Sequence, residues 1–170
     1  MKEVGFTPVQ DEQQPKQRPT FLTVLCLLSW ISAGWTAMSS IISLVAKEKS
    51  IEKLQESMSQ VDDAAQEDIP SFFEAIISGS QDLIQDSINN FTMINSSQVI
   101  LYLAQIYAVY LIFNLKKRGF FLYTFVQATL LILPVTYMTL NLVMLIGLGF
   151  SALLTIAFVI MYAVNLKHMD

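Results

Sequence analysis

From Gly119 to Leu166 the chain runs for 48 residues without a single Asp, Glu, Lys, Arg or His. A bilayer core takes roughly 20 predominantly apolar residues per spanning helix, so this stretch holds two spans in succession. It predicts an integral membrane protein. The composition agrees: 14% of the residues are charged, against about a quarter in an ordinary soluble domain.

The uncharged stretches divide the rest of the chain. Thr20 to Ala46 is uncharged for 27 residues, enough to span with some tilt, and Pro19 stands where a helix start tolerates proline. The first span is therefore expected over residues 20–46. A second is expected over 97–115, ending sharply at Lys116, Lys117 and Arg118. A third is expected over 119–140 and a fourth over 143–166, with Asn141 suited to the turn between them. Pro134 removes one backbone bond from its helix, which spans tolerate where neighbours satisfy the freed carbonyl; it reads as a static bend rather than a hinge. Residues 1–19 carry Pro8, Pro15 and Pro19 with charges of both signs and read as a flexible cytoplasmic tail. No secretory signal peptide is expected, because the apolar run is too long and lacks a small-x-small cleavage site before Lys47.

Small residues give the first span a seam. Ser29, Ala33, Thr36, Ala37, Ser40 and Ser43 recur at intervals of three and four, and small residues let helices approach closely in lipid, where packing and polar contacts replace the hydrophobic drive. With no ionisable group among them, the seam reads as a helix-packing edge rather than a polar pathway. Gln98 and Gln105 lie seven apart on one face of the second span and offer an interhelical hydrogen-bonding edge. Gly147, Gly149, Ser151 and Ala152 are expected to bring the fourth span close to a neighbour, and Trp30 and Trp35 to fill gaps between helices. Cys26, the only cysteine, reads as a small buried hydrophobe. Lys116, Lys117 and Arg118 are expected to anchor the chain at lipid headgroups.

Residues 47–96 are the only part with room for a fold outside the membrane. They hold three Lys against ten acidic residues, a net of −7, while the rest of the chain carries +3. Ile51, Leu54, Met58 and Val61 are spaced three, four and three apart, an amphipathic helix that continues the first span or folds beside it. Beyond Pro70, Ser71 and Glu74 have the spacing of a capping box. Phe72, Phe73, Ile76, Ile77, Leu83, Ile84 and Ile88 then recur with helical period. So wide an apolar face must cover the first half-helix, lie on the bilayer or meet a partner. Its polar face has no Lys or Arg to bind anionic lipid, so these seven residues read as a surface for internal packing or for a partner protein. Asn90-Phe91-Thr92 and Asn95-Ser96-Ser97 match the glycosylation sequon but stand hard against the next span and are read as chance matches.

The fold class is all-α: an integral membrane four-helix bundle with an extracytoplasmic helical hairpin between spans 1 and 2. With the N-terminus inside, seven Lys and Arg lie on the cytoplasmic side and three outside, so the positive-inside rule places both termini in the cytoplasm. The opening of the first span, Arg18-Pro19-Thr20-Phe21-Leu22-Thr23-Val24-Leu25-Cys26, resembles the start of uncharacterised small four-helix bacterial inner-membrane proteins. The likeness covers these nine residues; it implies a bacterial inner-membrane setting and a four-span layout, and no activity.

No catalytic, cofactor-binding or metal-binding constellation is expected. One His and one Cys are too few for a transition-metal site, and general acid–base work needs positioned titratable groups, which the spans lack. Asp62, Asp63, Glu67 and Asp68 form an acidic cluster without the spacing of an EF-hand loop and read as a solvated face. The chain is thus expected to be no enzyme and to have no nucleic-acid partner. Its partners would be the bilayer and either another membrane protein or a second copy. The function expected is that of a non-enzymatic accessory or scaffold subunit acting by helix association, with a channel or carrier for a small neutral solute as the alternative. Gln105, Gln127 and Pro134 would belong to such a path. Coupled transporters usually place ionisable residues in the membrane, and here there are none.

Overall fold

A computed structural model of the chain describes residues 19–64 and 70–169. The expected tail, apart from Pro19, and the acidic residues Glu67 and Asp68 lie outside the described residues. Among those described there are six α-helices and no strand: α1 Thr20–Val45, α2 Lys47–Ala64, α3 Ser71–Asn89, α4 Phe91–Phe113, α5 Lys117–Tyr137 and α6 Leu142–Val164, followed by a 3₁₀ turn over Leu166–His168. Four of them, α1, α4, α5 and α6, are long and apolar enough to cross a membrane.

Helix α4 is the centre of the arrangement, with α1 packed along one side and α5 along the other. The fold-back of α5 is set by a short turn whose hydrogen bonds follow the pattern that ends many helices. The Leu115 N–H donates to the Ile112 carbonyl at 2.8 Å and the Lys116 N–H to the Leu111 carbonyl at 3.0 Å. That closure requires a left-handed residue, and Leu115 takes it with φ 58°, a conformation that costs a non-glycine residue roughly 1–2 kcal/mol. Just beyond, Gly119 lies against α4: a Cβ there would stand 2.6 Å from the Ile112 nitrogen and 2.8 Å from the Ala108 carbonyl oxygen. Only glycine lets the two backbones cross this closely.

The largest buried cluster sits at this same end of the bundle. Leu22, Leu25 and Cys26 from α1, Ala108, Val109 and Ile112 from α4, Tyr123 from α5, Tyr162 from α6 and Met169 form one continuous core. Helix α6 joins it through its C-terminal part, where Tyr162 is buried and Phe158, Val159 and Met161 pack against the cluster; Met144 and Tyr162 are its two buried residues.

At the opposite end, α2 and α3 pair as a hairpin. Helix α1 breaks at Ala46 (φ −101°, ψ 42°), so α2 is a separate helix that packs on α3. Its stripe of Ile51, Leu54, Met58 and Val61 is half-buried while most of its other residues are exposed, and Gln81 Nε2 donates to Asp62 Oδ1 at 2.6 Å across the pair. The capping box expected at Ser71 does not form. Pro70 is the N-cap and its carbonyl accepts from the N–H groups of Phe73 and Glu74, so Ser71 already lies inside the helix, one position too late to cap it. Helix α4 begins at Phe91, inside the segment assigned from the sequence to the hairpin, because the α3–α4 junction is the single residue Asn90 and needs no loop.

Three polar ties fasten α3 to the connection between α5 and α6. Asn90 Nδ2 donates to the Tyr137 carbonyl at 3.0 Å, the Thr139 N–H to Asp86 Oδ2 at 2.6 Å, and Asn141 Nδ2 to the Gly79 carbonyl at 2.9 Å. Asn141 serves twice, since its Oδ1 accepts from the Met144 N–H at 3.0 Å and caps α6. Gly79 admits this approach: a Cβ on it would meet Val143 Cγ2 at 3.0 Å.

The two kinds of glycine environment separate cleanly under substitution. Gly119→Ala drives a methyl into backbone atoms that cannot yield and is expected to cost about 1–3 kcal/mol. Gly34→Ala adds a methyl where nothing lies within 4 Å and is expected to be neutral or to gain up to about 1 kcal/mol from helix propensity. Thermal unfolding of the two variants in detergent should therefore move in opposite directions from the parent, or at least only G119A should fall.

Candidate functional site: a polar cleft closed at one end

The seam of α1 lies against α4. Ser29, Ala33, Ala37 and Ser40 are buried, while Thr36 is half-buried and its hydroxyl returns to the Ser32 carbonyl at 3.0 Å. Ser40 Oγ donates to Gln98 Oε1 at 3.0 Å, and Trp30 Nε1 to the Ile106 carbonyl at 3.1 Å, with the indole tilted against Phe113 at 5.2 Å. Trp35 does not fill a gap. It is 79% exposed, since five residues carry it about 140° round the helix from Trp30. Gln98 and Gln105 do not form one bonded edge either. Gln105 is 5% exposed and its Oε1 is enclosed with no hydrogen-bond partner.

The closed end is built from two tyrosines. The Tyr162 hydroxyl donates to the Leu25 carbonyl at 3.2 Å and shares a hydrogen bond of 2.9 Å with Ser29 Oγ. Its ring meets Tyr123 edge-on at 4.8 Å, and the Tyr123 hydroxyl accepts from Gln127 Nε2 at 2.8 Å. Sequence reasoning missed this pair. The signal was a polar tip on a large ring inside an otherwise uncharged span, which needs a partner when buried.

Towards the hairpin from this floor the helices part. A cavity of about 180 Å³ is lined by Ser29, Ser32, Gln105, Tyr123, Gln127 and Thr155 together with apolar side chains. A second, of about 350 Å³, shares Gln127 and Thr155 with it and extends past Tyr102 and Pro134. A third, of about 640 Å³, shares Gln98 and Met138 with the second and reaches Ser50, Lys53 and Ser57 of α2. The three form a row from beneath the hairpin to the tyrosine floor, and among the described residues Lys53 at the mouth is the only charged one lining it. Its cause is the placement of α6, which is fastened near its two ends and carries Ala152 and Thr155, too short to fill the space, along its inward stripe between Leu148 and Tyr162.

The remaining expected sites are spread apart. On α3, Ile76, Ile77, Leu83, Ile84 and Ile88 are half-buried, as the helix packs between α2 and the start of α6. Phe72 and Phe73, 57% and 55% exposed, form an edge-to-face pair at the free end. Lys116, Lys117 and Arg118 are exposed at the closed end. Gly147 and Gly149 make no close approach within the chain; a Cβ on either meets nothing within 4 Å, because the helix crossings fall at Gly79 and Gly119 instead. The sequon amides are engaged internally: Asn90 Nδ2 on Tyr137, Asn95 Nδ2 on the Phe91 carbonyl at 2.8 Å.

Among its described residues the molecule is thus all-helical, with four candidate spans and a polar cleft between them that carries charge only at its mouth. No protein-family model matches the chain, nor does any curated protein or solved structure.

An enclosed acceptor without a partner costs about 1–3 kcal/mol. Gln105→Leu keeps the volume and removes that acceptor, so the unliganded protein should unfold at a higher temperature than the parent. Gln98→Leu, which strips Ser40 of its acceptor, should unfold at a lower one. Melting both variants in the same detergent tests the assignment, and a fall for Q105L would show that Oε1 has a partner.

Proposed function

We propose that the protein is a multi-pass protein of the cell's inner membrane, with both termini in the cytoplasm, that acts without chemistry as an accessory or scaffold subunit by associating with another membrane helix. The observation that carries this reading is the outer face of α6. Gly147 and Ser151 lie one turn apart and are exposed, and a Cβ on Gly147 or Gly149 would meet open space. Small residues four apart are the spacing at which membrane helices come into close contact. Large lipid-facing side chains fill the rest of that face, among them Leu145, Phe150 and Leu153. A helix held mainly at its ends, with its small residues turned outward, is suited to receive a spanning helix from outside the chain. The basic cluster Lys116–Arg118 supports the orientation.

The alternative, a channel or carrier for a small neutral solute, draws on the row of cavities. A solute entering beneath the hairpin would pass neutral hydroxyls and amides and stop at Tyr123 and Tyr162.

A photoreactive residue in place of Phe150, which is 65% exposed beside the two glycines, tests the association in native membranes. The expected result is a discrete protein adduct that disappears when Gly147→Leu is added, while the melting temperature stays that of the parent because the new side chain enters open space. An adduct that survives G147L, or adducts with lipid alone, would reject helix association at this face.

A further inference from the structure

We infer that the groove between α1 and α2, the 640 Å³ end of the row, holds one anionic phospholipid of the surrounding bilayer, with its phosphate at Lys53 and an acyl chain along α1. The inference rests on the membrane setting proposed above and not on association at the outer face of α6.

The groove is made by the break of the first helix at Ala46. Trp35 and Ser57 both line it, although the 22 residues between them would span about 33 Å in an unbroken helix. The near end of α2 is fixed there: Lys47 Nζ donates to Thr92 Oγ1 at 3.0 Å and Ser50 Oγ to the Ser43 carbonyl at 3.4 Å. Trp35, Met38 and Ile42 supply the apolar wall on α1 and are themselves largely exposed. The groove is therefore open sideways along the span, on the side that lipid occupies in a membrane. A bilayer molecule reaches it without crossing the bundle.

Depth argues for an acyl chain. From Trp35 to the break at Ala46, α1 rises about 16 Å, close to half of a hydrocarbon core roughly 30 Å thick. The apolar wall is thus one leaflet deep, and charge begins just above it at Lys47. A small solute would cover only a fraction of such a wall.

Charge decides the head. Among the described residues Lys53 is the only charged one in the lining, and its ammonium has no partner there. Glu48, Glu52 and Glu56 alternate with the lysines of α2 but lie on its other sides and do not line the groove. The acidic excess of residues 47–96 lies beyond Ser57; up to that point three Lys meet three Glu. A phosphate gains a charge-assisted hydrogen bond from Lys53, whereas an ammonium head would meet that cation with no carboxylate in the lining to offset it. The Ser50 and Ser57 hydroxyls already donate to backbone carbonyls, that of Ser57 to Lys53 at 2.9 Å, so what they offer the groove is acceptance. A head with hydroxyls of its own suits them. The occupant is an anionic lipid of the phosphatidylglycerol type.

The test is native mass spectrometry of the protein released from nanodiscs of phosphatidylglycerol and phosphatidylethanolamine in equal amounts, after flotation with liposomes of the same mixture. One phosphatidylglycerol retained per chain is expected for the parent. Lys53→Gln should lower that retention about fivefold, the factor one basic residue contributes near an anionic surface, while Lys49→Gln, which removes the same charge from an exposed position outside the lining, should leave it unchanged. Both lysines are exposed, so both variants should melt with the parent. Equal retention in parent and K53Q, or an equal loss in K53Q and K49Q, overturns the site in favour of general attraction to the headgroup layer. Retention of phosphatidylethanolamine to the same degree overturns the anionic head, and displacement by glycerol 3-phosphate, which has the phosphate without the chain, overturns the lipid. A chain that does not float overturns the membrane setting and the groove with it; one that floats and retains no phospholipid overturns the groove alone.

Discussion

The arrangement depends on the hydrogen bonds of one hydroxyl, that of Tyr162 on Leu25 and Ser29. Helix α6 is almost wholly apolar, and in the proposed membrane setting an apolar helix gains nothing from leaving lipid for another apolar surface. Its place is decided by shape and by the few polar groups that must find partners. Tyr162 supplies one such tie to α1 at the closed end, and Asn141 supplies another to α3 at the open end. Interhelical bonds of this kind contribute about 0.6 kcal/mol each on average. That is too little to draw the middle of the helix inward, where Ala152 and Thr155 offer little surface to pack. The cleft is the space left between two fastened ends.

The hairpin follows from the same shortage of apolar drive, acting the other way. In the proposed setting, outside the bilayer, the apolar faces of α2 and α3 would otherwise face water, and they close on each other and on the start of α6. Asp86, Asn90 and Asn141 then set where the pair sits by engaging backbone groups of the α5–α6 connection. The mouth of the cleft lies under α2 because α3, not α2, carries those ties.

The elements that were legible in the sequence are those that a solvent imposes on the whole segment. Exclusion of charge marks the four long apolar helices, and the seam of α1 and the stripe of α2 are set by helical period, which is local. What was not legible is pairwise. The period that makes Gln98 and Gln105 share a face does not say that Ser40 donates to one while the oxygen of the other is enclosed without a donor. Glycines look alike in sequence, yet Gly119 lies under a backbone crossing and Gly147 under open space, and the difference is made by residues on other helices. Tyr162 and Ser29 are 133 positions apart, beyond any local pattern. The Ser71 capping box failed for a local reason: Pro70 fits the cap itself and takes the position one residue earlier.

A folded chain usually departs from its own rules where something other than stability is selected. Here the departure is an unpartnered amide at the bottom of a neutral cleft, and both it and the outward glycines belong to surfaces that meet at α6. One side of that helix, through Leu154 and Thr155, walls the cleft; the other presents Gly147 and Phe150 outward. Because its middle is held by so little, a helix that packed on the outer face, as proposed, would act on a weakly placed element, and the slender inward stripe of Ala152 and Thr155 leaves that element room to move inward.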